Sequence, residues 1–311
     1  MAGTAAVAFA MVGSGATGTM AAVAAAGPAP TPTPIVQEGI CTAPVTHKAL
    51  AARLSRDIQA ALARRSDRHA VTVFDRTREV TCRYNEGHRF DSASVVKATI
   101  LAALLRWHQE TGRPLTSTEK SLATLMITQS DNDAASALWD ELGHARIQHF
   151  LDLARMTETI LGPDGFWGLT KITARDELTL LRLLTLGNKV LSNSSRGYQL
   201  GLMAMVIPSQ RWGVPAGAPR GITVHVKNGW LPEDIGGWHI NSIGSFSGHG
   251  RDYMMAVLTD DNPSFDYGVT TIEAVAEVVH RDLNAGLAPA GTPLPAIRVA
   301  PAELSPDSAG A

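Results

Sequence analysis

The sequence predicts an α/β protein of the α+β sandwich kind, in which an antiparallel sheet is flanked by helices and an all-helical subdomain is inserted between its strands. Three observations predict it. Runs rich in β-branched and aromatic residues lie towards both ends of the chain, at 70–74 and 80–84 and again at 222–227, 238–246 and 253–259. Between them, about 93–205 reads as successive helices broken by Gly112-Arg113-Pro114, Gly143 and Gly162-Pro163. A last periodic segment over 268–283 supplies a helix to pack on the sheet.

In chain order, residues 1–26 are nearly all Ala, Val, Gly, Met and Thr and finish in Ala24-Ala25-Ala26, which resembles the apolar and cleavage regions of a secretory signal. The usual positive start is missing, so either the true start lies upstream or the segment is a weak membrane anchor interrupted by Gly13, Gly15 and Gly18. A Pro-rich linker is expected over 27–47, a folded domain over 48–284, and a disordered Pro- and Ala-rich tail over 285–311. The domain opens with a helix at about 48–65, followed by the first two strands. The strand at 253–259 alternates little between apolar and polar residues, which places it centrally. The expected location is secreted or cell-envelope, after signal removal.

The 311 residues are 45% hydrophobic and 18% charged with a formal net charge of -2, enough for a large core and an ordinary globular balance. No basic stripe asks for nucleic acid. Cys41 and Cys82 are the two cysteines; export permits them to pair, and buried free thiols are the alternative. None of the ten histidines has metal-ligand spacing, so no metal or other cofactor is expected. His225 or His239 could in principle serve a Ser-His-Asp triad, but no Gly-x-Ser-x-Gly elbow surrounds Ser94.

Chemistry concentrates in three short motifs. Ser94 precedes Lys97 by three residues at the start of the apolar run 95–105, so both sit on one face of a helix that begins near Ser94. A serine hydroxyl needs a neighbouring base, and Lys97 qualifies only if burial and a second cation such as Lys227 depress its pKa. Ser130-Asp131-Asn132 lies in a turn between two helical patterns, where short polar residues are by themselves most simply caps. Lys227-Asn228-Gly229 closes the strand at 222–227, and Gly229 would let a ligand backbone approach. Taken alone, the Ser94 helix reads equally well as a capped core segment, and the other two motifs read more simply as a cap and a turn. Their order decides.

That ordered set resembles the S-x-x-K, S-D-N and K-T-G series of class A β-lactamases and penicillin-binding proteins, over roughly 48–284. The resemblance implies a β-lactamase/transpeptidase-like fold with its site in the cleft between sheet and helices. It implies Ser94 as acylated nucleophile, Lys97 as its base, Ser130 as proton shuttle and Asn132 as substrate ligand. Lys227 would be the cation for a substrate carboxylate, with Asn228 and Gly229 beside it. The backbone N–H groups of Ser94 and Trp230 would form the oxyanion hole, such donors contributing about 3 to 4 kcal/mol each.

Three departures stand out. Asn228 replaces the family's Thr or Ser. The interval from Ser94 to Ser130 is 36 residues, shorter than in the enzymes, so the helical part is trimmed. The loop at 157–170 lacks the Glu-x-x-Leu-Asn segment that activates the deacylating water, leaving Glu158 and Asp164 as its only carboxylates. The expected activity is a secreted serine β-lactamase-like hydrolase with slow deacylation; a non-hydrolytic penicillin-binding sensor and a D,D-peptidase-like cell-wall enzyme are the alternatives. Its expected partner is a small β-lactam or an acyl peptide, with cell-wall association left open and a monomeric state. Phe166, Trp167 and Trp230 are candidates to line that cleft, with Phe166 favoured as a lid over the core and the place of Trp230 open.

Overall fold

The computed structural model describes Met1 and residues 33–163, 165–233 and 237–287. The chain divides into two units, Met1–Thr33 and Pro34–Ala311, and every element belongs to the second. The signal-like segment beyond Met1, the linker up to residue 32, the tail from 288 and Asp164 lie outside the described residues. Among the described residues no helix is long and apolar enough to cross a membrane.

Nine strands form in chain order: β1 (Ile35–Glu38), β2 (Cys41–Pro44), β3 (Arg68–Asp75), β4 (Val80–Tyr84), β5 (Arg89–Asp91), β6 (Lys171–Thr173), β7 (Thr223–Glu233), β8 (Gly237–Gly248) and β9 (Arg251–Asn262). Seven make one antiparallel sheet in the order β1-β2-β4-β3-β9-β8-β7, and β5 pairs with β6 apart from it. The two ends of the chain meet where β3 pairs with β9. Both strands are buried on two faces, which is why 253–259 shows little alternation: Met254 and Ala256 enter one core, Met255 and Val257 the other.

Helices cover each face because each face is apolar. On one side α1 (Lys48–Leu62) and α7 (Phe265–Leu283) bury Leu54, Ile58, Val275 and Val279 against Val71, Val73 and Val257. The other side is the helical part: α2 (Val96–Thr111), α3 (Ser117–Thr128), α4 (Asn132–Ala154), α5 (Ala174–Thr185) and α6 (Asn193–Ala204). Residues Val96 to Leu105 of α2 are all buried, so this helix is the axis of that core. It stops at Gly112, whose φ of 67° supplies the left-handed C-cap. Thr116 and Glu119 start α3 with a capping box, and Asp131 caps α4 by accepting from the Ala134 N–H.

The linker expectation differs from the structure over residues 35–44. These form a hairpin that lengthens the sheet beyond β4, with Cys41 directly opposite Cys82 and bonded to it as a disulfide. Four-residue strands beside a Pro-rich stretch leave too short a pattern to read. β7 also runs past Gly229 and Pro232, since as an edge strand it tolerates a residue with no N–H to donate.

Candidate active site

Ser94 lies half-buried in a 3-10 turn, Ala93–Val95, and the α-helix proper begins two residues later at Val96. Ala93 adopts φ 45°, a left-handed conformation that costs a side-chain-bearing residue about 1 kcal/mol or more and persists only where surroundings enforce it. Those surroundings are visible. Asn241 donates from Nδ2 to the Asp91 carbonyl at 2.8 Å and the Ser92 N–H donates to the Thr170 carbonyl at 2.8 Å. A Cβ on Gly229 would stand 2.7 Å from Ser92 O and 2.8 Å from both Ser94 N and Val95 N. Gly229 is therefore required by the protein's own serine turn, which occupies the approach expected for a ligand backbone. The Ser94 N–H has no backbone acceptor among the described residues.

Two lysines converge on Ser130. Lys97 Nζ donates to Ser130 O (2.6 Å), Asn132 Oδ1 (2.7 Å) and Ser130 Oγ (3.3 Å). Lys227 Nζ donates to Ser130 Oγ at 2.9 Å and to Asn228 O at 2.8 Å. Ser130 presents its groups this way because it too is left-handed, at φ 58°. Lys97 is buried, and loss of water together with repulsion from Lys227 holds its amine well below the usual value, against a smaller pull from Asp131. Burial alone pushes Lys227 down to about 7. Ser94 Oγ makes no hydrogen bond among the described residues: the amine expected against it is turned towards the stronger carbonyl acceptors of Ser130 and Asn132.

Asn132 opens α4 with its carbonyl oxygen on Lys97, and its NH2 group makes no hydrogen bond among the described residues. Asn228 is placed otherwise. Its NH2 group donates to Gln210 O (2.9 Å) and Trp212 O (3.0 Å), and its oxygen accepts from Ser242 Oγ (2.6 Å). The reason is strand alternation. Lys227 pairs across from Ile243 on the helical side, whereas Asn228 pairs across from Ser242 and Trp230 from Ile240 on the α7 side. Accordingly the Trp230 ring sits edge-to-face with Trp212 at 5.9 Å and Phe265 at 6.2 Å, leaving its backbone and not its ring beside Gly229.

The loop at 157–170 forms the remaining wall. Trp167 is 5% exposed, its ring centroid is 4.6 Å from Lys97 Nζ, and its indole N–H donates to Ser136 Oγ at 3.1 Å. Phe166 is half-buried next to it. Glu158 faces elsewhere, accepting from Arg175 at 2.6 Å and from Thr173 Oγ1 at 3.2 Å. Asp164 lies outside the described residues. Sequence reasoning passed over Asn241, for which a buried Asn inside a β-rich run was the one available signal, since Asn is depleted in strands; Trp167 was among the aromatics expected at the cleft.

No histidine hydrogen-bonds Ser94 among the described residues: His225 pairs with Ser245 Oγ at 3.1 Å and His239 lies 3.8 Å from the Asp91 carboxylate. Nor do the described residues include a group of three or more His, Cys, Asp or Glu side chains able to hold a metal ion.

The model of the "Beta-lactamase enzyme family" matches residues 108–283, more than half the chain, including Ser130, Asn132 and 227–230 but starting downstream of Ser94 and Lys97. No curated protein matches the sequence. Among solved structures, a class A beta-lactamase from Bacteroides cellulosilyticus DSM 14838 superposes with TM-score 0.66 at 16% identity, covering 76% of this chain and 98% of its own. The TLA-1 extended spectrum beta-lactamase gives 0.67 at 18%, covering 75% and 98%. A beta-lactamase from Sphaerobacter thermophilus DSM 20745 gives 0.64 at 20%, covering 75% and 97%. Likenesses at such identities establish the fold.

Proposed function

The chain belongs to the beta-lactamase enzyme family, and from that premise we propose that it is a serine hydrolase that accepts a β-lactam or a related acyl peptide on Ser94 and releases the acyl group slowly. The observation that carries this reading is the convergence of two buried amines with depressed pKa values on the Ser130 hydroxyl, beside a serine held in a strained turn.

In the acylation step the Ser94 oxygen bonds to the substrate carbonyl carbon while its proton passes to neutral Lys97. The oxyanion is met by the N–H groups of Ser94 and Trp230. When the carbon–nitrogen bond breaks, the nitrogen takes a proton from Ser130, which recovers one along the amines on its hydroxyl. Lys227, charged below about 7, attracts the substrate carboxylate, and the Asn132 NH2 group donates to a substrate carbonyl. Slow release is supported by the second wall, where Glu158 is tied to Arg175 and Thr173. The same observation favours a penicillin-binding sensor as the second reading. Export is supported by the Cys41–Cys82 disulfide, a bond that persists outside reducing compartments.

Intact-protein mass spectrometry after addition of benzylpenicillin is the test. A stoichiometric adduct on Ser94 that decays slowly is expected. Rapid steady turnover of a chromogenic cephalosporin with no trapped adduct would overturn slow release, and an identical adduct on Ser94→Ala would overturn the nucleophile.

A further inference from the structure

We propose that Trp167 is a positioning residue that withholds hydrolytic water from Lys97 and so sets the lifetime of the Ser94 acyl-enzyme; this rests on the acyl-enzyme reading above. Hydrolysis of the ester forms a bond from a water oxygen to the acyl carbon and breaks the bond from that carbon to Ser94 Oγ. The water proton must go to a base, and the freed Ser94 oxygen must regain one. Lys97 is the one amine placed by both position and depressed basicity to serve.

Lys97 is closed to water on every side that the structure describes. Ser130 O, Asn132 Oδ1 and Ser130 Oγ accept from its amine, and the Trp167 ring covers it at 4.6 Å. The ring is pinned. Its N–H is held by Ser136 on α4, the next residue offers its carbonyl to Ser92 Oγ at 3.3 Å, and Thr170 O takes the Ser92 N–H. The loop neck is closed by reciprocal bonds between Ile160 and Lys171 at 2.9 and 2.8 Å. Moving the loop backbone that carries the indole would therefore disturb the serine turn, so the cover stays in place while Ser94 is acylated.

The full chain and its Trp167→Ala, Trp167→Phe and Ser136→Ala variants are loaded with benzylpenicillin, freed of excess, and followed by intact mass. In Trp167→Ala the adduct half-life should fall about tenfold or more while the acylation rate changes by less than about threefold. A merely structural lesion would slow both steps. Trp167→Phe keeps a ring over the amine and should stay within about threefold of wild type, and Ser136→Ala should shorten the half-life by about threefold. An adduct on Trp167→Ala as persistent as on wild type, or one on Trp167→Phe as short-lived as on Trp167→Ala, overturns the proposal alone. Should Trp167→Ala not fold, an unchanged half-life in Ser136→Ala does so. Fast turnover by the wild type overturns the proposal together with slow release.

Discussion

The two walls of the cleft are built of opposite materials. Residues 92–97, 130–132 and 227–230 form a wall of amines, hydroxyls and carbonyls joined at 2.6 to 3.3 Å. The 157–170 wall meets Lys97 with an indole and turns its one described carboxylate, Glu158, away to Arg175. Forming and cleaving an acyl ester are separate steps with separate needs, and on the proposed function this contrast would place the groups for the first step on one wall and leave the second poorly served. Two of the left-handed non-glycine residues, Ala93 and Ser130, belong to the polar wall.

The contrast can be broken from either side, and the largest effect belongs to the polar wall. Lys97→Ala should slow acylation by benzylpenicillin about a thousandfold, the usual range for losing a general base; an unchanged rate in stopped-flow mixing would remove Lys97 from that role. Next comes Gly229→Ala. Its methyl group would press into Ser92 O, Ser94 N and Val95 N, and the displaced turn should lose about a hundredfold in acylation rate with the substrate still bound. Crystals of the variant with an unmoved turn would sink that account.

A smaller effect separates the two amines by pH. Lys227 is charged below its pKa of about 7 and neutral above it, so attraction of an anionic penicillin is present at low pH and lost as pH rises through 7. The acylation rate constant at limiting substrate should fall about tenfold per pH unit beyond that point, and Lys227→Arg should remove the limb because guanidinium stays charged. A limb unmoved in Lys227→Arg would assign it to another group. The smallest effect tests the other wall. Glu158→Gln should leave adduct lifetime within about twofold and cost under about 1 kcal/mol in denaturant unfolding, since its ion pair with Arg175 is partly exposed. A clear lengthening of the lifetime would give that loop a working carboxylate after all.

Much of the fold was legible because its signals are local. The strands at 70–74 and 80–84 were read within two residues of β3 and exactly as bounded for β4, since β-branched runs ended by turns need no distant partner to be recognised. The hairpin at 35–44 was not, because each strand is only four residues long and becomes a strand through β4. In the site, the spacing from Ser94 to Lys97 and the order of the three motifs pointed to residues that the fold gathers around Ser130. Asn228 shows the limit. Its type looked like a substituted substrate contact, yet alternation along β7 turns it onto Gln210, Trp212 and Ser242.

The sequence by itself determined the layering of sheet and helices and the ordered motifs that make up the candidate site, because hydrophobic period and short helical spacing act within a few residues. Only the tertiary structure decided what surrounds them. Trp167 covers an amine 70 positions earlier in the chain, and Asn241 holds a turn about 150 residues away. Such pairings depend on how buried elements dock, and no local pattern encodes which faces will meet.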